Sequence, residues 1–170
     1  QWLNVFLRKC DVLKIACLAQ IVNVIAPILT TTDSLVKQTI FYPVALVSNL
    51  AHGQSLSVVT KAPVVNTRQF GDVPMLDVSA SYELDSGQHA VFIVNRSQTE
   101  TVTTDIIWQD VTPRQVNAIY QIAGTDVKAA NSFDHPDTVV TRQLAGGPLD
   151  GNKFSLCLPP LSFTALSAGG

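Results

Sequence analysis

Residues 11–43, DVLKIACLAQIVNVIAPILTTTDSLVKQTIFYP, decide how the rest of the chain is read. The stretch is dense in apolar side chains, yet it holds Gln20, Asn23 and Gln38. A buried amide needs hydrogen-bond partners, so an amide inside an apolar run is either paired internally or turned towards a ligand. Residues 13–20 admit two readings. Val12, Ile15, Ala16 and Ala19 fit one face of a helix, and a short apolar run between polar residues also fits a fully buried parallel strand. Periodicity alone leans to the helix. Residues 21–34 read as a loop carrying Pro27, with Asp33 or Ser34 as an N-cap. Residues 35–51 read as a helix with Leu35, Val36, Ile40, Val44, Val47 and Leu50 on one face, kinked by Pro43 and stopped at His52-Gly53.

Upstream, residues 2–10 read as a helix with Trp2, Leu3, Phe6 and Leu7 near helical spacing, and with Arg8 and Lys9 at the negative end of its dipole. They lack the charged start and small-residue cleavage site of a signal peptide. No run reaches the ~18 apolar residues of a membrane span, so no membrane is expected as a partner. Gln1 is not an initiator residue, and the expectation is that this is the C-terminal part of a longer protein.

Downstream of Ser55 the period changes to two. Strands are expected near 55–61, 75–84, 89–95, 100–108, 115–122, 137–144, 153–158 and 162–167. Val78, Ala80 and Tyr82 alternate with Asp77, Ser79 and Ser81. Asp85-Ser86-Gly87 and Asp150-Gly151-Asn152 supply turns. Short strands with such turns predict an antiparallel jelly-roll β-sandwich. The boundary falls near Gly53, giving an apolar head at 1–53 and a β body at 54–170.

Hydrophobic residues make up 46% of the 170 and charged residues 14%, against about 25% charged in an ordinary domain. Such a chain has extra apolar surface to bury. A net charge of -2 without a basic stripe excludes nucleic acid as a partner. Cys10, Cys17 and Cys157 lack metal-ligand spacing and read as free thiols of a reducing, cytoplasmic compartment. Asn95-Arg96-Ser97 matches a glycosylation sequon, a pattern common by chance.

Chemistry is scarce in the body. Its two glutamates, Glu83 and Glu100, sit at strand ends, and nothing in the pattern brings them within the ~5–5.5 Å of a retaining glycosidase pair. Asp134-His135-Pro136-Asp137 reads as a turn. There is no phosphate cradle, nucleophile elbow or zinc-protease motif, and neither metal nor cofactor is expected. Trp108 and Tyr120 read as core, with a sugar-stacking platform as the alternative. Gln20 remains: a core amide, or a ligand contact if it ends a buried strand.

The runs LKIACLAQIVNVIAPILT, QTIFYPVALVSNLAHG, DVPMLDVSASY, AVFIVNRS and LPPLSFTAL, in this order, resemble the C-terminal third of the α-L-arabinofuranosidases of glycoside hydrolase family 51. The run AQIVNVIAPI is the most specific of them. The resemblance implies a mostly β chain in which a jelly-roll sandwich follows the last strand and flanking helices of a (β/α)8 barrel. Residues 13–20 become that strand, overriding the helical lean, and 35–51 the closing helix. Gln20 then binds the arabinofuranose at the strand's C-terminal end. The two catalytic glutamates of this retaining mechanism lie on earlier barrel strands, outside this chain, and the family's sandwich also recruits an N-terminal segment. The implied partners are the rest of the barrel, an arabinofuranosyl saccharide from arabinoxylan, arabinan or their oligosaccharides, and further copies in a homo-oligomer. The rival is a stand-alone β-sandwich that binds carbohydrate or is purely structural. The apolar head argues against it, because a binding module has no use for an orphan strand and two helices.

Overall fold

The computed structural model describes residues 1–124 and 126–170. Helix α1 (Trp2–Arg8) opens the chain, followed by β1 (Ile28–Thr30), β2 (Leu35–Lys37) and α2 (Phe41–Leu50). The body holds β3 (Gln54–Ser55), β4 (Val64–Thr67), β5 (Gly71–Pro74), β6 (Leu76–Glu83), β7 (Gln88–Asn95), β8 (Val102–Ile107), β9 (Gln115–Ile122), β10 (Arg142–Pro148), β11 (Lys153–Leu158) and β12 (Ser162–Gly169). The chain is mostly β.

The organising element is a six-stranded antiparallel sheet in the order β10-β9-β12-β7-β6-β3. Cross-strand partners share a face, so the pairs Ala80↔Val91 and Val78↔Ile93 point one way while Ser79↔Phe92 and Ser81↔Ala90 point the other. The first face meets the two-stranded β8–β11 layer over a core that includes Val91, Ile93, Trp108, Ile119, Leu158 and Leu166. The second face, with Ala90, Phe92 and Ala165, is covered by Leu7 of α1 and by Leu46, Val47 and Leu50 of α2. Helices on one side and a second β layer on the other leave the central strands apolar on both faces.

Several expected elements change. Residues 13–20 form no regular strand or helix. A barrel strand is held by ladder bonds to two neighbours, and none pairs with it among the described residues. The expected helix over 35–51 starts only at Phe41, because Leu35–Lys37 pairs with Ile28–Thr30. Asp33 and Ser34 turn that hairpin: Thr31 Oγ1 donates to Asp33 Oδ1 at 3.1 Å, and the Ser34 N–H donates to Thr31 Oγ1 at 3.1 Å. Pro43 does not kink α2, since it lies in the first turn, where its missing N–H has no intrahelical partner to lose. Gly53 ends the connection at φ +75, and a Cβ there would lie 2.2 Å from the Tyr82 carbonyl oxygen. Of the expected 55–61 strand only Ser55 joins the ladder, together with Gln54 before it; the strand expected at 137–144 starts at Arg142, and the β4–β5 hairpin is additional.

The inner face of α1 is polar. Asn4, fully buried, donates from Nδ2 to the Asp77 backbone carbonyl at 2.9 Å and accepts at Oδ1 from Ser79 Oγ at 3.1 Å. Arg8 Nη1 lies 2.9 Å from Asp77 Oδ1 and donates to the Val78 carbonyl at 2.7 Å. Arg96 reaches the same carboxylate at 3.4 Å and the Pro74 carbonyl at 2.7 Å. Asn4, Leu7 and Arg8 have the spacing of one helical face, and Trp2 is 74% exposed. Asn4→Ala strands a buried Ser79 hydroxyl and the Asp77 carbonyl. Its expected cost is about 2 kcal/mol, or roughly 4–8 °C in melting temperature for a chain of this size, measured by thermal unfolding of the 170-residue chain. An unchanged midpoint would mean that α1 is not part of the cooperative unit.

Candidate functional site

Two places bring polar groups onto apolar surface. The first is the segment around Gln20. Gln20, Asn23 and Val24 have φ of +58, +64 and +56. This left-handed region is tolerated by asparagine and is a genuine outlier for a β-branched valine. The strain is held by local bonds. Asn23 Oδ1 accepts from the Thr30 N–H at 2.7 Å, the Asn23 N–H donates to the Ile28 carbonyl at 2.8 Å, and Val22 bridges Ile28. Gln38 Nε2 closes the far end by donating to the Ala26 carbonyl at 2.6 Å. Of the three amides in the apolar run, Asn23 and Gln38 are therefore paired internally, while Gln20 is exposed. Around it Val12, Ile15, Leu18, Ile21 and Ile25 are exposed as well.

The second place is a cleft of about 670 Å³ between the two β layers. Residues 56–61 form one wall, residues 104–111 the other, and Val78, Ala80, Val91 and Ile93 the floor. Strand β8 pairs with β11 on one side and has no ladder partner on the other among the described residues. His89 stands at one end, 4% exposed, with its ring centroid 4.5 Å from that of Tyr82 and 6.3 Å from that of Trp108. Neither ring nitrogen has a hydrogen-bond partner among the described residues. Burial pushes its pKa below the ordinary histidine value.

The other candidates are structural. Glu83 caps the β6–β7 hairpin, accepting from Ser86 Oγ at 2.6 Å. Glu100 lies beyond the far end of β7, where its carbonyl accepts from Asn95 Nδ2 at 2.9 Å. An eight-residue strand sets the two glutamates roughly 20 Å apart, far beyond a retaining pair. Asp134–Asp137 is a turn in which the Ser132 and His135 backbones bond each other, and no metal-binding group forms among the described residues. Trp108 belongs to the inter-layer core, whereas Tyr120 packs with the helix-covered face, so the two build no common platform. The sequon asparagine, Asn95, is 1% exposed and clamps the Leu158 and Pro159 carbonyls at 3.1 and 2.9 Å, so a glycan has no access to it. Cys10, Cys17 and Cys157 are free and exposed. No described helix is long and apolar enough to cross a membrane.

His89 is a group that periodicity would have found, since it alternates with Val91 and Ile93 on the buried face of β7. Its burial has a pH signature. The unfolded chain takes up the imidazole proton near pH 6.5 and the folded chain only further down. Stability is therefore full above that pH and falls as the pH drops from about 6.5 towards the folded pKa. The melting temperature should fall between pH 7 and 5.5 by more in the parent chain than in His89→Phe, which keeps an aromatic ring against Tyr82 and Trp108. Equal slopes would exclude His89 as the group responsible.

Residues 1–162 match the family described as Alpha-L-arabinofuranosidase C-terminal domain. An intracellular exo-alpha-(1->5)-L-arabinofuranosidase of Streptomyces lividans is 31% identical over 161 residues, which are 94% of this chain and 24% of that protein. Its counterpart from Bacillus subtilis is 30% identical over 161 residues, again 94% of this chain and 32% of the relative. Among solved structures, a family 51 α-L-arabinofuranosidase of Bifidobacterium longum superposes with a TM-score of 0.87 at 26% identity, covering 97% of this chain and 32% of that one. The family 51 enzyme of Thermotoga petrophila, 20% identical, shares the fold with a TM-score of 0.86. The chain thus spans 24% and 32% of the length of the two curated relatives. With the match running through the head and across the body, the chain belongs to the α-L-arabinofuranosidase C-terminal domain family.

Proposed function

We propose that this chain is the C-terminal portion of a retaining α-L-arabinofuranosidase that releases terminal arabinofuranosyl residues from arabinoxylan, arabinan or arabino-oligosaccharides. The observation that carries the proposal is the family match over residues 1–162. The names of the Streptomyces and Bacillus relatives favour α-(1→5)-linked ends among these substrates. The word "intracellular" in the same names, with three exposed free thiols, favours the cytoplasm.

On this reading residues 1–53 are the last strand and flanking helices of a (β/α)8 barrel, and residues 54–170 a jelly-roll sandwich. Residues 13–20 are the barrel strand. Their exposed Ile15 and Leu18 are what such a strand presents when its two neighbours lie elsewhere in the protein. Gln20 ends that strand, at the face where barrel enzymes hold their ligands. Its amide offers both a donor and an acceptor to a sugar hydroxyl. The acid/base and nucleophile come from earlier barrel strands. The cleft along β8 receives a strand from the protein's N-terminal segment, because an open edge over an apolar floor is a template for strand addition.

Three measurements test these assignments. In the complete enzyme, Gln20→Ala should lower kcat/KM on a nitrophenyl arabinofuranoside roughly ten- to hundredfold, the loss of about 1–3 kcal/mol for one hydrogen bond in a dry subsite, with the melting temperature nearly unchanged. The 170-residue chain alone should show no turnover; activity that survives repurification would overturn the fragment reading. A large fall in melting temperature at unaltered activity would make Gln20 a structural amide. Hydrogen exchange reads the cleft: the β8 amides should exchange more slowly in the complete protein than in the 170-residue chain, and equal rates would leave the edge open in both.

A further inference from the structure

The loop of residues 126–141, between β9 and β10, leaves the β body and touches the head. Its anchor is Asn131, 8% exposed. Asn131 Oδ1 accepts from the Val139 N–H at 2.7 Å, and Nδ2 donates to the Val139 carbonyl at 2.9 Å, which closes the loop on itself. Closing the loop needs no more than this. Nδ2 also donates to the Lys37 carbonyl at 2.8 Å, 94 residues away in sequence. Lys37 is the last residue of β2 and pairs with Ile28 in β1. Ile28 in turn bridges Val22 and accepts from the Asn23 N–H. Contacts thus run from Asn131 to the Lys37 carbonyl, across the Lys37–Ile28 strand pair, and on to Val22 and Asn23, two and three places beyond Gln20.

The hairpin needs this support. Three-residue strands are marginal alone, yet Ala26 is fully buried and Val36 is 2% exposed, burial that two short strands cannot supply to themselves. Tyr42, at the start of α2, has its hydroxyl pKa raised by burial and by the Asp137 carboxylate, with Asn131 acting in the opposite direction.

We infer that Asn131 is a positioning residue for arabinofuranoside binding: the 126–141 loop braces the strained Gln20–Gln38 strap and so fixes the direction in which Gln20 meets the sugar. The inference rests on the sugar-binding reading of Gln20 given above. Asn131 does not touch substrate. It acts through the backbone of Lys37, Ile28 and Asn23, and its loss lets residues 20–24 relax from their left-handed conformations.

The test is a double-mutant cycle in the complete enzyme. Asn131→Asp keeps the acceptor for the Val139 N–H and removes the donor to the Lys37 and Val139 carbonyls. It should lower kcat/KM on a nitrophenyl arabinofuranoside about tenfold and speed amide exchange over residues 20–38. In a Gln20→Ala background the same change should cost less than about threefold, since the group it positions is gone. An Asn131→Asp enzyme with undiminished kcat/KM, or with its full loss retained beside Gln20→Ala, overturns the inference while leaving the sugar contact intact. Gln20→Ala without any loss overturns the sugar reading, and the inference with it. A measurement without a variant stands beside these, in case Asn131→Asp does not fold. L-Arabinose added to the parent enzyme should slow exchange in residues 126–141 together with residues 20–38, and protection confined to 20–38 overturns the inference.

Discussion

A carboxylate taken out of water joins the two parts of this chain. Asp77 is 6% exposed and meets Arg8 from the head and Arg96 from the end of the β6–β7 ladder. Removing such a charge from water costs several kcal/mol, and the cost is offset only when geometry is good and the remaining donors are satisfied. Here they are: the guanidiniums use spare N–H groups on the Val78 and Pro74 carbonyls, and Asn4 contributes a further donor. Apolar contact alone would not hold α1 so firmly. Leu7 is the residue of α1 that packs against the helix-covered core, and a single leucine contact permits sliding along the sheet. The ion pairs and the Asn4 bonds close in one placement.

Fixing α1 fixes where the next segment starts, and the Gln38 and Asn131 bonds fix where it ends. Between those anchors residues 12–25 run with apolar side chains outward. Internal packing of this kind, tight at both ends and open in the middle, separates two demands. The ends are set by the β body, and the middle is free to present its apolar side chains to surfaces outside this chain. The left-handed Gln20, Asn23 and Val24 lie where the two demands meet, so backbone strain collects there and not in the sheet.

The β body was legible wherever one face is apolar and period two is uninterrupted. Strands β6, β7, β9, β11 and β12 lie within a few residues of expectation, since alternation such as Val78-Ser79-Ala80-Ser81 carries both strand type and register. The β4–β5 hairpin was not, because four-residue strands with half-buried faces give no pattern long enough to detect. Residues 13–20 were ambiguous for a physical reason: six apolar residues among eight, without strict alternation, fit either a helix face or a strand buried on both sides. Gln20 could be singled out only by elimination and by resemblance. Asn4, Asp77 and Asn131 could not be singled out at all. Their partners are 73 and 94 residues away, and no local spacing encodes a contact at that range.

Those three residues share a property with Asn95, whose sequon pattern disguised a clamp. Each is a buried polar group that closes a junction between segments remote in sequence, and each has its hydrogen bonds satisfied there. Hydrophobic burial is non-directional, so it drives the layers together without choosing among neighbouring registers. A buried amide or carboxylate chooses, because any other register leaves it unpaired at a cost of about 1–3 kcal/mol. The chain's low charge fraction sharpens this division. With few ionic groups available for selectivity on the surface, discrimination between correct and shifted packing falls to a handful of buried polar side chains. They sit at the seams, head to sheet at Asn4 and Asp77, loop to hairpin at Asn131, and β7 to the β11–β12 connection at Asn95. The seams at Asn4, Asp77 and Asn131 flank the segment that carries the strained residues 20–24.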